Sequence, residues 1–333
     1  MVGQGQCRVN ATDKADQRGA LPHRPFDEIA GRKSGRAVVM LIRKIANIID
    51  ANRRLRGLKN LRNEAVDLSF RARGRKRGLA FVDRLRGDDV RNVAFAIAFN
   101  TPWVIDFLTA AWERNVENMR LVVLDNSSSR DARAKHREIC AARGVPYLGL
   151  PYNPEWNPNR SHGIAMNWAF HNVAAHLHPE LVGFIDHDCF PVDAFDFAAQ
   201  MNGKSLYGWK LNADKHPGAW CFWAGFSFFR FAELAGKRLD FKHSVELGLD
   251  TGGRNWPILY SYVEPQAVLG ASMDVVVERV GDAEARLMRF DKAFVHLAGA
   301  SYAETFSGTE FRAALARHLW ATYLPDRQPV LAL

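Results

Sequence analysis

The sequence predicts an α/β protein with a doubly wound, mainly parallel sheet, because apolar strand-like runs alternate with amphipathic helical stretches and each run ends in a polar tip. The first run, NVAFAIAF (92–99), closes on the turn-forming Asn100-Thr101-Pro102 and leads into a helical stretch over 103–115. LVVLDNSSS (121–129) repeats the scheme, with a helix through 131–143. VPYLGLPYN (145–153) is a third strand-like run followed by a helix over SHGIAMNWAFHNVAAHL (161–177), and LVGFIDHDCFP (181–191) is a fourth strand. Continuous rather than alternating apolar runs are what strands covered on both faces require. The polar tips fall at the carboxyl edge, where such sheets bind ligands.

Beyond Asp193 the pattern loosens into YGWKLN (207–212) and WCFWAGFSFFRF (220–231), which read as paired strands covering one end of the sheet, and a helical stretch over 308–322. Ahead of the first strand, residues 1–36 read as a mobile tail and 37–90 as a basic helical extension, with the main domain over 91–325 and a linker near 86–91. Residues 32–91 hold 18 Lys/Arg against 6 Asp/Glu, a local +12 within a chain of net +9, so the remainder carries 9 − 12 = −3. Two readings of that segment stay open: a helix pair with a solvated basic face, or contact with an anionic membrane surface through residues 37–85. Nucleic acid is disfavoured, because RARGRKRG (71–78) has no interleaved aromatics on which bases could stack.

The chain has 333 residues, 47% hydrophobic and 24% charged, enough for one large domain and typical of a globular protein. Cys7, Cys140, Cys189 and Cys221 form no CxxC pair, which argues against a disulfide scaffold or structural zinc. The first thirty residues lack an apolar signal core and no run of about 18 apolar residues occurs, so the expected location is cytoplasmic, or peripheral on the inner face of the membrane. Neither G-x-G-x-x-G after a strand, nor GxxxxGK[ST], nor G-x-S-x-G is present, which removes support for dinucleotide, P-loop and serine-hydrolase chemistry.

The chemistry concentrates in Phe184-Ile185-Asp186-His187-Asp188, two carboxylates one residue apart at the end of an apolar strand. If extended geometry persists through the tip, both face one point, and hard oxygen ligands suit Mg²⁺ or Mn²⁺. A lone pair of this kind also occurs in ordinary loops and helix caps.

The order of Thr101-Pro102, VVLDNSS with Asp125, RSHGIAMNWAF, then FIDHDCFP resembles the GT-A fold of inverting, family-2-like glycosyltransferases over roughly 92–300. That resemblance implies a nucleotide-sugar donor, a divalent cation (Mn²⁺ or Mg²⁺), and a saccharide, lipid-linked saccharide or protein acceptor. It puts Thr101, Asp125, Arg160, Gly163, Asn167 and Asp186 at the donor, with Asp125 on the base or ribose, although Asp125 also reads as a helix cap with Asn126 and Ser127. Gly163 and Asn167 match the family's spacing at a helix start, where Gly lets backbone approach phosphate and Arg160 adds charge, while Arg160 departs from the small residue or Asn often found there. His296, in FVHLAGAS (294–301), becomes the third metal ligand beside Asp186 and Asp188; read alone it is an ordinary core histidine. Glu246 and Asp250 in HSVELGLDTGGRNW (243–256) occupy the place of the base, Asp250 preferred for its glycine-rich turn, an Asx-type cap being the alternative. Trp220 and Trp223, with Trp209, offer faces for an acceptor or side chains for the core.

Two other functions compete. A sugar nucleotidyltransferase shares the sheet and the carboxylate-held metal, but would carry a glycine-rich basic loop where this chain has FNTPWVID. A degenerate transferase-like module, binding a membrane or partner, would be expected to have lost some of Asp186, Asp188 and Asp250.

Overall fold

The computed structural model describes residues 53–297 and 309–332. The readings of 1–36 as a tail and of 37–52 as helix lie outside the described residues, as does Ala298–Ser301 of the late histidine run. The chain divides at Lys59/Asn60 into two compact units, the described part of the first being the opening of helix α1 (Arg53–Ala72). The rest of α1 and helix α2 (Arg75–Gly87) therefore lie in the same unit as the sheet.

The strand-like runs form strands β1 (Asn92–Ala98), β3 (Arg120–Asp125) and β5 (Leu181–Asp186), with β2 (Val116–Glu117) and β4 (Tyr147–Gly149) between them. Helices α3 (Pro102–Asn115), α4 (Arg130–Ala142) and α5 (Pro158–Ala169) alternate with them. Strands β6 (Cys189–Pro191), β7 (Phe195–Asp196), β8 (Leu206–Asn212), β9 (Trp220–Arg230) and β10 (Val268–Gly270) follow, then β11 (Met273–Val280), β12 (Ala283–Phe290), β13 (Phe294–His296) and helix α6 (Thr309–Tyr323). The main sheet runs β10-β8-β9-β5-β1-β3-β4, with β4, β3, β1 and β5 mutually parallel and β9 antiparallel to both β5 and β8. The chain winds outward from β1 through β3 to β4, then returns to place β5 on the other side of β1, so a topological switch point lies between β1 and β5.

Side-chain alternation explains the double cover. Ala94, Ala96 and Ala98 of β1 face a core built with Phe107 and Trp112 of α3, Ile139 of α4 and Leu319 of α6. Val93, Phe95 and Ile97 face the opposite core, with Phe70 of α1, Phe81 and Leu85 of α2, and Trp168 of α5. Gly183 is required on β5, since a Cβ there would lie 2.1 Å from the ring of its cross-strand partner Phe228.

Four expectations change. The 207–212 and 220–231 segments do not cover an end of the sheet; they extend it, because β9 is buried almost throughout and pairs directly with β5. The run 181–191 is not one strand: it turns at His187 and Asp188, and β6 leaves to join the second sheet, β11-β12-β13-β6. The third run keeps only the three residues of β4. The helix expected over 161–177 begins at Pro158, capped by the Asn157 side chain accepting from the Arg160 N–H, and continues through a π-helical turn at Phe170–Ala174.

β3 ends on Asp125, which is fully buried. Its carboxylate accepts from the Ser127 N–H (2.8 Å) and the Tyr147 hydroxyl (2.7 Å), and lies 3.1 Å from His136 Nδ1. The cap of α4 is instead Ser129, whose hydroxyl accepts from the Ala132 N–H. Burial works against the charge of Asp125, but His136 and the two donors outweigh it and hold the carboxyl at about 2 against an ordinary 3.8. A depressed folded-state value stabilises the fold above the ordinary value, and that contribution drains away as pH falls from 3.8 towards 2. Asp125→Asn is therefore expected to lose about 2 kcal/mol at neutral pH. Urea unfolding across pH should show the gap from the parent chain shrinking below pH 4, and a gap independent of pH would contradict this account.

Candidate active site

A cleft of about 440 Å³ opens at the carboxyl edge of the parallel strands. Its floor is the end of β1 and the turn after β3, its near wall the loop 152–156 and the first turn of α5, and its far wall Asp186, His187, Trp223, Asp250 and Thr251. The floor is knitted by Asn100, which takes a left-handed φ of 53° and ties the two strand ends together. Its N–H donates to Ser127 Oγ (2.8 Å) and its side-chain carbonyl accepts from the Ser129 N–H (3.0 Å). Asn126 joins floor to wall, donating to Ser161 Oγ (3.1 Å) and accepting from Asn153 (3.2 Å).

Beside the cleft, Asp186, Asp188 and His296 converge with one ligand atom each inside 4.8 Å. His296 Nε2 lies 3.2 Å from Asp188 Oδ1 and 3.9 Å from Asp186 Oδ2. The turn at His187 and Asp188, rather than continued strand, brings the two carboxylates round, and the β6–β13 pairing, with His296 opposite Cys189, delivers the imidazole. His162 of α5 approaches Asp186 from the other side, Nε2 to Oδ1 at 3.6 Å. Desolvation pushes Asp186 above the usual carboxylate range; His162 pulls against it, and the neighbouring Asp188 pushes it further. Burial opposes a charge on His296, yet Asp188 and Asp186 together raise its value. Crowded anionic oxygens with one imidazole make a donor set that a divalent cation such as Mn²⁺ or Mg²⁺ fits, since it would replace the solvation that Asp186 has lost and offset its repulsion from Asp188. Trp223 packs on His296, ring centroids 4.7 Å apart, and Gly225 leaves room for both Trp223 and Asp186. A Cβ at Gly225 would fall 2.6 Å from Asp186 Oδ2.

Of the other residues singled out from the sequence, Asp250 lines the cleft, accepting from the Thr251 N–H (2.7 Å) and from Asn159 (3.3 Å), and Trp223 forms part of its wall. Several do not line it. Asp125 lies behind the floor, satisfied as described. Thr101 is buried, its hydroxyl donating to the Phe99 carbonyl (3.1 Å). Arg160 pairs with Glu155 at 3.0 Å and is 11% exposed. Gly163 packs α5 tightly on the 241–242 backbone, where a Cβ would sit 2.8 Å from the Phe241 carbonyl oxygen. Asn167 is buried among Asp67, Asp240 and the Phe241 N–H. Glu246 is exposed outside the cleft. Trp220 is buried against Tyr260, with Lys210 Nζ 4.8 Å above its ring, and Trp209 packs on Trp223.

The segment carrying Asp250 is pinned from α1. Lys242, 2% exposed, meets Glu64 (2.8 Å) and Asp67 (3.0 Å), while Arg254 meets Glu64 (2.6 Å) and Asp240 (3.1 Å). Sequence reasoning did not find Asn153, Asn159 or His162 as cleft residues, nor Tyr152 and Trp156 at its rim. The signal available for the last two was two large aromatics in a Pro-punctuated loop, PYNPEWNP, after a strand.

No family model and no curated protein matches the chain. Among solved structures that match, an active-site mutant of LgtC is 14% identical, over 43% of this chain and 58% of that one, with a TM-score of 0.29. The apo structure of WbbM, a bifunctional glycosyltransferase, is 12% identical over 43% of this chain and 32% of that one, with a TM-score of 0.30. The chain thus spans 58% and 32% of the lengths of those two proteins.

Proposed function

We propose that this chain is a GT-A-type glycosyltransferase that moves a sugar from a nucleotide-diphosphate donor to a saccharide, lipid-linked or protein acceptor, with inversion. The observation that carries the reading is the convergence of Asp186, Asp188 and His296 beside a cleft at the switch point of a parallel sheet. Donor binding to such an edge suits the polar floor of Asn126, Ser127 and Ser128, whose hydroxyl and amide groups can read a ribose or base.

Asp186, Asp188 and His296 would hold the cation, which when bound supplies positive charge against the departing diphosphate. Asp250 faces the same cleft and is the residue placed to accept the acceptor hydroxyl's proton. The Thr251 N–H and Asn159 fix one of its oxygens, so the other can turn to the incoming hydroxyl. Attack opposite the leaving group then inverts the anomeric carbon. Glu246, exposed outside the cleft, has no part in this scheme.

Asp250→Asn is expected to lower kcat about 10²- to 10⁴-fold while leaving nucleotide binding intact. Steady-state transfer or donor hydrolysis, run beside a nucleotide titration, checks the split; unchanged kcat would remove Asp250 from the mechanism. Gly225→Ala, whose Cβ would press on Trp223 of the cleft wall (2.3 Å) as well as on Asp186 (2.6 Å), should weaken Mn²⁺ binding about 10- to 100-fold by displacing Asp186. Titration of the Mn²⁺ electron-spin signal measures that effect, and wild-type affinity would show that Asp186 is not held as described.

A further inference from the structure

Helix α1 is apolar on two opposite sides. Its inner side sends Val66 and Phe70 into the core beneath the sheet. Its outer side carries Leu61, Ala65, Leu68 and Ala72 at helical spacing, all exposed, with Leu61 68% and Leu68 59% open to solvent. The outer side of a surface helix is ordinarily polar, and a stripe of this kind marks a contact surface. Residues 60–87 also present seven exposed Arg/Lys against one exposed acid, Asp83.

A second observation ties this face to the cleft. Tyr152 and Trp156 stand on the cleft rim, 71% and 68% exposed. Their loop is clamped to α1 and α2: Arg62 donates to Glu155 at 2.7 Å, and Gly74 packs so closely on Pro151 that a Cβ would lie 3.0 Å from its ring. Exposed Trp and Tyr, on a loop held by a helix that carries exposed leucines and cations, are the side chains that settle at a bilayer's headgroup level.

We propose that the outer face of α1 and α2, together with the Tyr152–Trp156 rim, docks on an anionic bilayer surface and so presents the cleft mouth to a lipid-linked acceptor. The acceptor clause rests on the transferase reading; the docking clause does not. Nucleic acid would explain the cations but not the leucine stripe. A second copy would explain the leucines, but an isologous contact would set seven cations against seven. Anionic lipid answers both, its headgroups meeting the Arg/Lys and its acyl boundary the leucines.

The test is co-sedimentation of the full chain with phosphatidylglycerol-containing vesicles and with pure phosphatidylcholine vesicles. The expected results are binding to the anionic vesicles that weakens with salt, and a fall of about tenfold or more in Leu61→Ser/Leu68→Ser. Both leucines face solvent, so this variant should keep the parent's melting temperature and its response to nucleotide with Mn²⁺. Absence of binding to anionic vesicles, equal binding by the leucine pair variant, or a leucine-dependent dimer without lipid would each overturn the proposal. Vesicle binding in a chain that fails to respond to any nucleotide would leave the docking face standing and remove the transferase reading alone.

Discussion

The constraint on which the rest of the structure depends is that β1, β3 and β5 are buried on both faces. Nothing polar can be housed along such strands without a partner, so side chains that must meet water and ligand are forced to the carboxyl edge. There the switch point between β1 and β5 leaves a crevice that neither covering layer fills. Asn126, Asp186 and the first turn of α5 reach it from separate elements, and the antiparallel strand β9 adds Trp223. The position of the candidate site follows from the winding of the sheet before any side chain is considered.

Electrostatics then divides the edge carboxylates into two kinds. Asp125 is surrounded by donors and an imidazole and held far below its ordinary value, so its charge is spent inside the fold. Asp186 is pushed the opposite way, by desolvation first and then by the neighbouring Asp188, against the pull of His162. A carboxylate driven towards protonation by burial and, beyond that, by a like charge, with an opening to a cleft, is one whose ionised form asks for a cation from outside. This contrast is the physical reason for giving the metal role to Asp186 and Asp188 and leaving Asp125 a structural one.

The sheet was legible in the sequence because its signals are local: an unbroken apolar run, a polar tip, then a helical period. Asp186 and Asp188 stand out for a similar reason, as carboxylates at the end of an apolar run, whereas Asp250 is a candidate through the family resemblance, its glycine-rich turn only favouring it over Glu246. What stayed hidden depends on partners distant in the chain. That Asp125 would vanish behind the floor depends on Tyr147 from β4 and His136 from α4. That Asn167 would serve packing depends on Asp67 of α1 and on Asp240. That 181–191 would break into two strands depends on the pull of β13 on β6. His296 is the instructive intermediate case: apolar surroundings made it read as a core residue, and only the resemblance to a family gave it a ligand role.

The central claim is that Asp186, Asp188 and His296 hold a divalent cation against a nucleoside diphosphate. Its most direct test is the melting temperature of the full chain with UDP, GDP, CDP and dTDP, each with Mn²⁺ and with EDTA, because a ligand that binds only the folded state must raise it. The account predicts that one nucleotide stabilises the chain with Mn²⁺ and not with EDTA, and that Asp186→Asn abolishes the shift. A chain that melts at the same temperature under every condition, or a shift that survives in Asp186→Asn, would contradict it.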